Sequence, residues 1–113
     1  MTTTRQHKVS RLLHKELGEY FQRQSKAITG GKMITVTVVR ISPDLGIAKV
    51  YLSIFPGDKA GETIQAISER AGLVRSEMGN KLRNQLRHIP EFTFYLDDSL
   101  DYIDRIEGLL NDE

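Results

Sequence analysis

The residues with the clearest chemical potential lie in the segment 70–87, where basic side chains and glycines recur. Placed on a helical wheel at about 100° per residue, the apolar residues of this segment gather on one side. The residues across from them are Gly72, Ser76, Gly79, Asn80, Arg83 and Arg87. Glycines let a phosphate backbone approach the main chain, and arginines offer positive charge with forked hydrogen-bond donors. The pattern therefore favours contact with a nucleic-acid backbone.

A second basic surface is expected on the first helix. Its apolar face, at three- and four-residue spacing, consists of Val9, Leu12, Leu13, Leu17, Tyr20 and Phe21. The polar residues on roughly the opposite side are Lys8, Arg11, Lys15, Gln22 and Lys26. Together the two surfaces predict thirteen RNA-binding residues, which are Lys8, Arg11, Lys15, Arg70, Ala71, Gly72, Arg75, Ser76, Gly79, Asn80, Lys81, Arg83 and Arg87.

The formal net charge of +1 hides a segregation of charge along the chain. Counted by segment, the net charges are +5 for 1–32, −1 for 33–69, +4 for 70–87 and −7 for 88–113. Two basic segments and an acidic end suggest a surface that faces a polyanion, with the acidic end kept off that surface or screening it.

A plainer interpretation of the same residues stays open. The charges then only keep a small protein soluble, and Gly72 and Gly79 allow a neighbouring helix to pack closely. Lys81 lies near the apolar side of the wheel, where its charged end would extend along the helix surface toward water.

Other kinds of chemistry have little support. The three histidines lack metal-ligand spacing and the chain has no cysteine, so neither a zinc site nor a disulfide framework is expected. The residues 30–32 lack the spacing of a Walker phosphate-binding loop, and Asp97, Asp98, Asp101 and Asp104 are interpreted as capping and solubility groups. No apolar run approaches the roughly 18 residues of a membrane span. We therefore expect a soluble, cytoplasmic protein with no catalytic residue, no metal and no cofactor.

Hydrophobic periodicity predicts a single α+β domain over residues 1–113, in the order α-β-β-α-α-β-α. The first helix begins near Thr4. A period of two predicts strands over 33–41 and 47–55, joined by the proline- and glycine-containing turn between them. The first strand is expected to have Ile34, Val36 and Val38 on one face. In the second strand the inward residues are expected to be Ala48, Val50, Leu52 and Ile54.

The second half of the chain is expected to contain two helices in series, a strand and a last helix. The first of these helices begins near Gly61, and the second extends over 73–86. Gly72 is expected to mark a kink between them, because glycine costs about 1 kcal/mol relative to alanine inside a helix. A strand follows over 91–97, with Phe92, Phe94 and Leu96 on one face. A short acidic helix over about 99–111 has an apolar stripe of Leu100, Ile103, Ile106, Leu109 and Leu110.

Several stretches carry a resemblance to a known family. They are RQHKVSRLLHKEL in the first helix, ITVTVVRISPDLGIAKVYLSIF in the hairpin, AGLVRSEMGNKLRNQLRHIPEFTFYLDDSL, and the closing DRIEGLL. In these motifs the chain resembles the bacterial ribosome-binding factor A proteins. The resemblance implies a type II KH-like domain with a three-stranded sheet, in which a helix-kink-helix with an Ala-x-Gly motif replaces the usual GxxG loop. The kink falls on residues 70–72, with Arg70 where the pattern has alanine, and the loop ITGGK departs from the usual Asp-Pro-Arg type.

The resemblance also implies a function. The chain would be a non-catalytic assembly factor that binds the immature 30S ribosomal subunit, contacts 16S ribosomal RNA and its precursor, and assists processing of that precursor, notably in the cold. It would act as a monomer away from membranes. Two alternatives stay open at this point, a general single-stranded RNA-binding module and a small protein-interaction domain.

Overall fold

The computed structural model describes residues 3–97, and within that range it confirms the predicted order of elements. The helices and strands are α1 (Thr4–Thr29), β1 (Met33–Ile41), β2 (Ile47–Phe55), α2 (Ala60–Glu69), α3 (Ala71–Leu82) and β3 (Glu91–Leu96). The helix expected over 99–111 lies outside the described residues.

Helix α1 begins where the sequence predicts because Thr3 caps it. The Thr3 hydroxyl accepts a hydrogen bond from the Gln6 backbone N–H at 3.1 Å, and the Gln6 side chain accepts one from the Thr3 backbone N–H at 2.8 Å. This reciprocal capping box satisfies donors that a helix start otherwise leaves free. The helix ends at Thr29 and is capped by Gly30, which has a left-handed φ of 80° that glycine adopts without a Cβ clash. At 26 residues, α1 is about 39 Å long.

The three strands form one mixed sheet in the order β1-β2-β3. Strands β1 and β2 pair antiparallel as a hairpin, whereas β2 and β3 pair parallel, so α2 and α3 form the crossover between them. On β2 the predicted alternation is confirmed: the buried residues are Ala48, Val50, Leu52 and Ile54.

Strand β1 departs from simple alternation. A bulge between Val36 and Val38 inserts Thr37 as an extra residue, so the residues beyond it exchange faces. The buried residues are Ile34, Val36 and Val39, and the prediction that Val38 shares a face with Ile34 and Val36 is wrong, since Val38 is 38% exposed on the other face. On β3, Phe92, Phe94 and Leu96 share one face as predicted; Phe92 and Phe94 are buried, and Leu96 at the end of the strand is 40% exposed.

Two polar side chains of α1 tie this helix to β1. Gln6 donates from Nε2 to the carbonyl of Ile41 at 3.0 Å, and Ser10 donates from Oγ to the carbonyl of Val39 at 2.7 Å. The neighbouring pair Ser42–Ile47 is hydrogen-bonded across the hairpin, so by antiparallel alternation the carbonyls of Val39 and Ile41 point away from β2. They therefore lie on the outer edge of the sheet, and α1 satisfies them.

Helices α2 and α3 are separated by the single residue Arg70, whose φ of −94° and ψ of 4° are not helical. The prediction of a junction at Gly72 is wrong by two residues, because α3 already begins at Ala71. Helix α3 also ends at Leu82 rather than continuing over 73–86, so Arg87 belongs to the loop before β3.

All three helices pack on the same face of the sheet, where one apolar core joins them. Phe21 of α1 meets Phe94 of β3 edge to face at 5.7 Å, and α3 contributes Val74, Met78 and Leu82. The arrangement is an α+β, type II KH-like domain with a helix-kink-helix. The opposite face of the sheet, here named the open face, carries Met33, Thr35, Thr37, Val38, Arg40, Ile47, Lys49, Tyr51, Ser53, Phe55, Glu91, Thr93, Tyr95 and Asp97.

Candidate nucleic-acid interface

The outer surface of α1 carries the basic stripe that the helical period predicts. Lys8, Arg11 and Lys15 are exposed because the buried side of the helix, centred on Leu13, lies across from them. Among residues 3–97, none of the three has a carboxylate within ion-pairing distance. Their charges are therefore available to an external anion.

An ion pair shows which flank of α1 faces α3. Lys81 Nζ of α3 lies 2.7 Å from Glu16 Oε2 and 3.6 Å from Glu19 Oε2. At about 100° per residue, Lys8 and Lys15 lie within about 40° of Glu19 around the helix axis. The basic stripe of α1 therefore borders the seam between α1 and α3.

The outward side of α3 has the small residues expected from the sequence. Gly72, Ser76 and Asn80 are exposed, and Arg83, which follows the last helical residue, is exposed as well. Val74, Met78 and Leu82 are buried on the opposite side, as the wheel predicts. Apart from Leu73, which is 51% exposed, this outward side of α3, here called its crest, has little bulk that would hold a polynucleotide away from the main chain.

The remaining candidates on α3 lie on two different flanks. On the flank toward β3, Arg75 donates from Nε to the carbonyl of Ile89 at 3.1 Å. A Cβ added to Gly79 would meet Ile89 Cγ1 at 3.7 Å, an ordinary contact. A surface cavity of about 270 Å³ opens on this flank, lined by Ala71, Gly72, Arg75, Glu91, Phe92 and Thr93.

On the flank toward α1, Lys81 is held by acidic residues. The Glu16 carboxylate, through its hydrogen bond and its charge, raises the pKa of Lys81 above its ordinary value of 10.5, and Glu19 adds to the effect. The side chain of Glu16 is only 10% exposed, whereas that of Lys81 is 42% exposed. Lys81 therefore neutralises a nearly buried carboxylate and stabilises the seam between α1 and α3, so its charge is already used within the protein.

Arg70 lies on the same flank, beside the hydroxyl of the buried Tyr20. Burial raises the pKa of Tyr20, and the negative charge of Glu77 raises it further, whereas the guanidinium of Arg70 and the charge of Arg23 lower it. Within the described residues the Tyr20 hydroxyl has no hydrogen-bond partner. Arg70 thus contributes to a polar cluster that joins α1, the kink and α3.

Sequence reasoning missed the acidic partners of this seam. Glu16 lies between Leu13 and Leu17 on the buried side of α1, and a carboxylate in that position needs a cation partner. The position of Glu16 between two buried leucines is the sequence feature from which a cation partner could have been predicted. Arg5 and Arg23 are also exposed on α1 and extend its basic surface.

Within residues 3–97, no group of three or more histidine, aspartate or glutamate side chains is placed to hold a metal ion. In the same part of the chain, none of the helices is both long and apolar enough to cross a membrane.

Comparison with known proteins gives consistent matches. The family model described as ribosome-binding factor A matches residues 5–110. A ribosome-binding factor A of Cytophaga hutchinsonii is 40% identical over 111 residues, which cover 98% of this chain and 84% of the relative. The crystal structure of ribosome-binding factor A from Thermus thermophilus superposes with a TM-score of 0.67 at 20% identity, covering 80% of this chain and 94% of that one. A homology model of the Thermus thermophilus protein, fitted into a cryo-electron-microscopy map of a 30S–RbfA complex, gives a TM-score of 0.56 at 20% identity and covers 77% and 93% of the two chains.

Proposed function

Because the chain belongs to the ribosome-binding factor A family, we propose that it is a ribosome-binding factor that binds the 30S subunit through 16S ribosomal RNA. The observation that carries the proposal is the basic stripe of Lys8, Arg11 and Lys15, which has no carboxylate partner within residues 3–97 and lies beside the small-residue crest of α3. The family name alone would not say which surface meets the RNA.

The stripe supplies affinity through phosphate contacts. Lysine and arginine side chains that neutralise phosphates release counterions from the RNA, so binding weakens as salt rises. From Lys8 to Lys15 the stripe rises about 10 Å along the helix, which is long enough to contact more than one phosphate of a strand. Phosphate contacts orient a protein on RNA but do not read sequence.

The crest of α3 allows the RNA backbone to approach the helix closely. Gly72 presents no side chain, and a Cβ placed there would meet nothing within 4 Å. Ser76 and Asn80 add short donors and acceptors, while Arg83 and Arg87 are exposed at and beyond the end of the helix. A rigid basic ridge next to a low crest selects RNA by shape, which is how structured RNA is commonly recognised.

The proposed mechanism is positional and non-catalytic. The factor binds the immature 30S subunit, stabilises one conformer of 16S RNA while the precursor is processed, and leaves when the mature conformer forms. A ligand shifts such an equilibrium only by its difference in affinity for the two conformers. We place this action in the cytoplasm, with the protein acting as a monomer, and expect it to matter most in the cold, where non-native RNA pairings persist.

The test compares two substitutions of equal charge change. Lys15→Glu reverses a charge in the stripe, and Lys59→Glu reverses an exposed charge at the start of α2, away from the stripe. Co-sedimentation with immature 30S subunits is measured over a range of salt. Lys15→Glu should weaken binding and make the slope of log affinity against log salt less steep by about one, as expected for one lost phosphate contact. Lys59→Glu should resemble the wild type.

Equal effects of the two substitutions would show that only net charge matters and would reject the stripe as the interface. Equal affinity for immature subunits and for unrelated single-stranded RNA would favour the general RNA-binding module. Binding that survives high salt and ribonuclease treatment would favour a protein-interaction domain.

A further inference from the structure

The open face of the sheet has an unusual share of exposed apolar side chains. Of the seven large apolar residues that are exposed within residues 3–97, five lie on this face, namely Met33, Val38, Ile47, Phe55 and Tyr95. Phe55 is 70% exposed and Met33, its partner across the hairpin, is 66% exposed. Apolar exposure concentrated on one face marks a surface that binds something.

The centre of the open face combines aromatic and basic side chains. Val38, Tyr51 and Tyr95 lie side by side across the three strands, and the two tyrosine rings stack at 5.3 Å with an interplanar angle of 26°. The next row along the sheet contains Arg40 and Lys49, both exposed. A cavity of about 500 Å³ lies over these rows, lined by Val38, Arg40, Lys49, Tyr51 and Asp97.

The chain itself reaches this face at the end of the described residues. The backbone N–H of Asp97 donates to the carbonyl of Leu52 at 2.7 Å, which continues the β3 ladder. Its carboxylate accepts a hydrogen bond from the hydroxyl of Thr37 on β1, so the Asp97 side chain extends across β2 over the open face. The sixteen residues 98–113 follow directly from Asp97 at the end of β3, whose side chain lies on this face.

The sequence of 98–113 complements the surface from which it starts. It contains six acidic residues and one arginine, a net charge of −5, opposite Arg40 and Lys49. Its apolar residues Leu100, Ile103, Ile106, Leu109 and Leu110 recur at helical spacing. A helix over 99–111, as that spacing predicts, would be about 20 Å long, which is about three rows of the open face at roughly 6.8 Å per two strand residues.

We infer that residues 98–113 dock on the open face of their own sheet. Their apolar stripe covers Val38, Tyr51 and Tyr95, and their carboxylates lie against Arg40 and Lys49. The acidic charge disfavours RNA as the occupant, since a polynucleotide here would meet the carboxylates that begin at Asp97. The consequence is that the acidic end is held on the side of the sheet opposite the basic stripe of α1.

The absence of cysteine from the chain makes a direct test possible. Thr93→Cys places a single thiol in the row of Arg40 and Lys49, and Gln65→Cys places one on the exposed surface of α2 as the matched control. The rate of reaction with a maleimide is measured on the full chain without RNA. A docked state populated at about 90% or more would slow labelling at position 93 about tenfold relative to position 65.

A second pair of variants identifies the occupant. Adding Ile106→Asp with Leu109→Asp to the Thr93→Cys chain should raise its labelling rate to that of the control, and the same change in the Gln65→Cys chain should have no effect. Circular dichroism checks that each variant is folded. If Thr93→Cys does not fold, Ser53→Cys, which lies in the same row of the sheet as Asp97, takes its place.

Three results would overturn the inference. The first is rapid labelling at position 93 in the chain without Ile106→Asp and Leu109→Asp. The second is protection that grows with protein concentration, which would identify a second copy as the occupant. The third is protection that appears only on adding 30S subunits or a single-stranded oligonucleotide, which would assign the face to a partner.

Discussion

Helices α1 and α3 carry similar basic residues but use them differently. Lys8, Arg11 and Lys15 of α1 are exposed and, within the part of the chain that the structure describes, unpaired. On α3, by contrast, Lys81 is paired with Glu16 and Arg75 is bonded to the carbonyl of Ile89. The difference arises from orientation: the α1 residues lie on the crest of a surface helix, and the α3 residues lie on flanks that meet other elements. A basic residue is available for RNA only where no neighbouring element uses it.

The largest expected effect tests how α1 is held against the sheet. Phe21 is fully buried and meets Tyr20 at 5.3 Å and Phe94 at 5.7 Å. Phe21→Ala should lower the free energy of unfolding by about 3–5 kcal/mol, because it removes buried contacts and leaves a cavity. Urea unfolding followed by circular dichroism measures the change. The neighbouring Gln22→Ala, at an exposed position, should stay within about 0.5 kcal/mol of wild type, and similar losses for both would contradict apolar anchoring of α1.

A smaller, pH-dependent effect tests whether Lys81 stabilises the fold by pairing with Glu16. Lys81→Met leaves Glu16 nearly buried without its partner and should destabilise the fold, though less than Phe21→Ala. Because the folded-state pKa of Lys81 is raised, its contribution is fully present below the ordinary value of 10.5 and is lost as pH rises through the folded-state pKa. The stability gap between wild type and variant should therefore be complete at pH 7 and shrink above pH 10.5.

Urea unfolding at a series of pH values checks this prediction. Lys59→Met makes the same chemical change at an exposed lysine, so its stability difference from wild type should not vary with pH in this way. A gap for Lys81→Met that is equally large at pH 7 and at high pH would show that the ammonium charge does not matter.

The smallest expected effect concerns the start of α3. Gly72 is inside the helix and has free space around it, so Gly72→Ala should raise the free energy of unfolding by about 0.5–1 kcal/mol. Gly30→Ala is the same substitution with the opposite expected effect. It should lower the free energy of unfolding, because Gly30 has a left-handed φ of 80° that alanine adopts at a cost. Thermal unfolding should show opposite signs for the two changes. Destabilisation by Gly72→Ala would restore this residue as a required hinge.

Local periodicity accounts for the parts of the structure that could be predicted. The buried face of α1 and the alternation of β2 follow from periods of 3.6 and 2 with no interruption. The inward turn of Val39 in place of Val38 could not be predicted, because the bulge at Thr37 is fixed by pairing with β2. The same holds for the candidate site. The α1 stripe depends on the helix period alone, whereas the pairing of Lys81 depends on how α1 and α3 meet.

The hydrogen bonds from Gln6 and Ser10 to the outer carbonyls of β1 affect how copies of this protein meet in solution. An uncovered edge strand is a template on which another chain can add a strand. Here an incoming strand would find the carbonyls of Val39 and Ile41 already occupied by side chains of α1. It would also have to displace a helix that is anchored in the core. The same contacts that orient the basic helix thus disfavour edge-to-edge pairing at this end of β1.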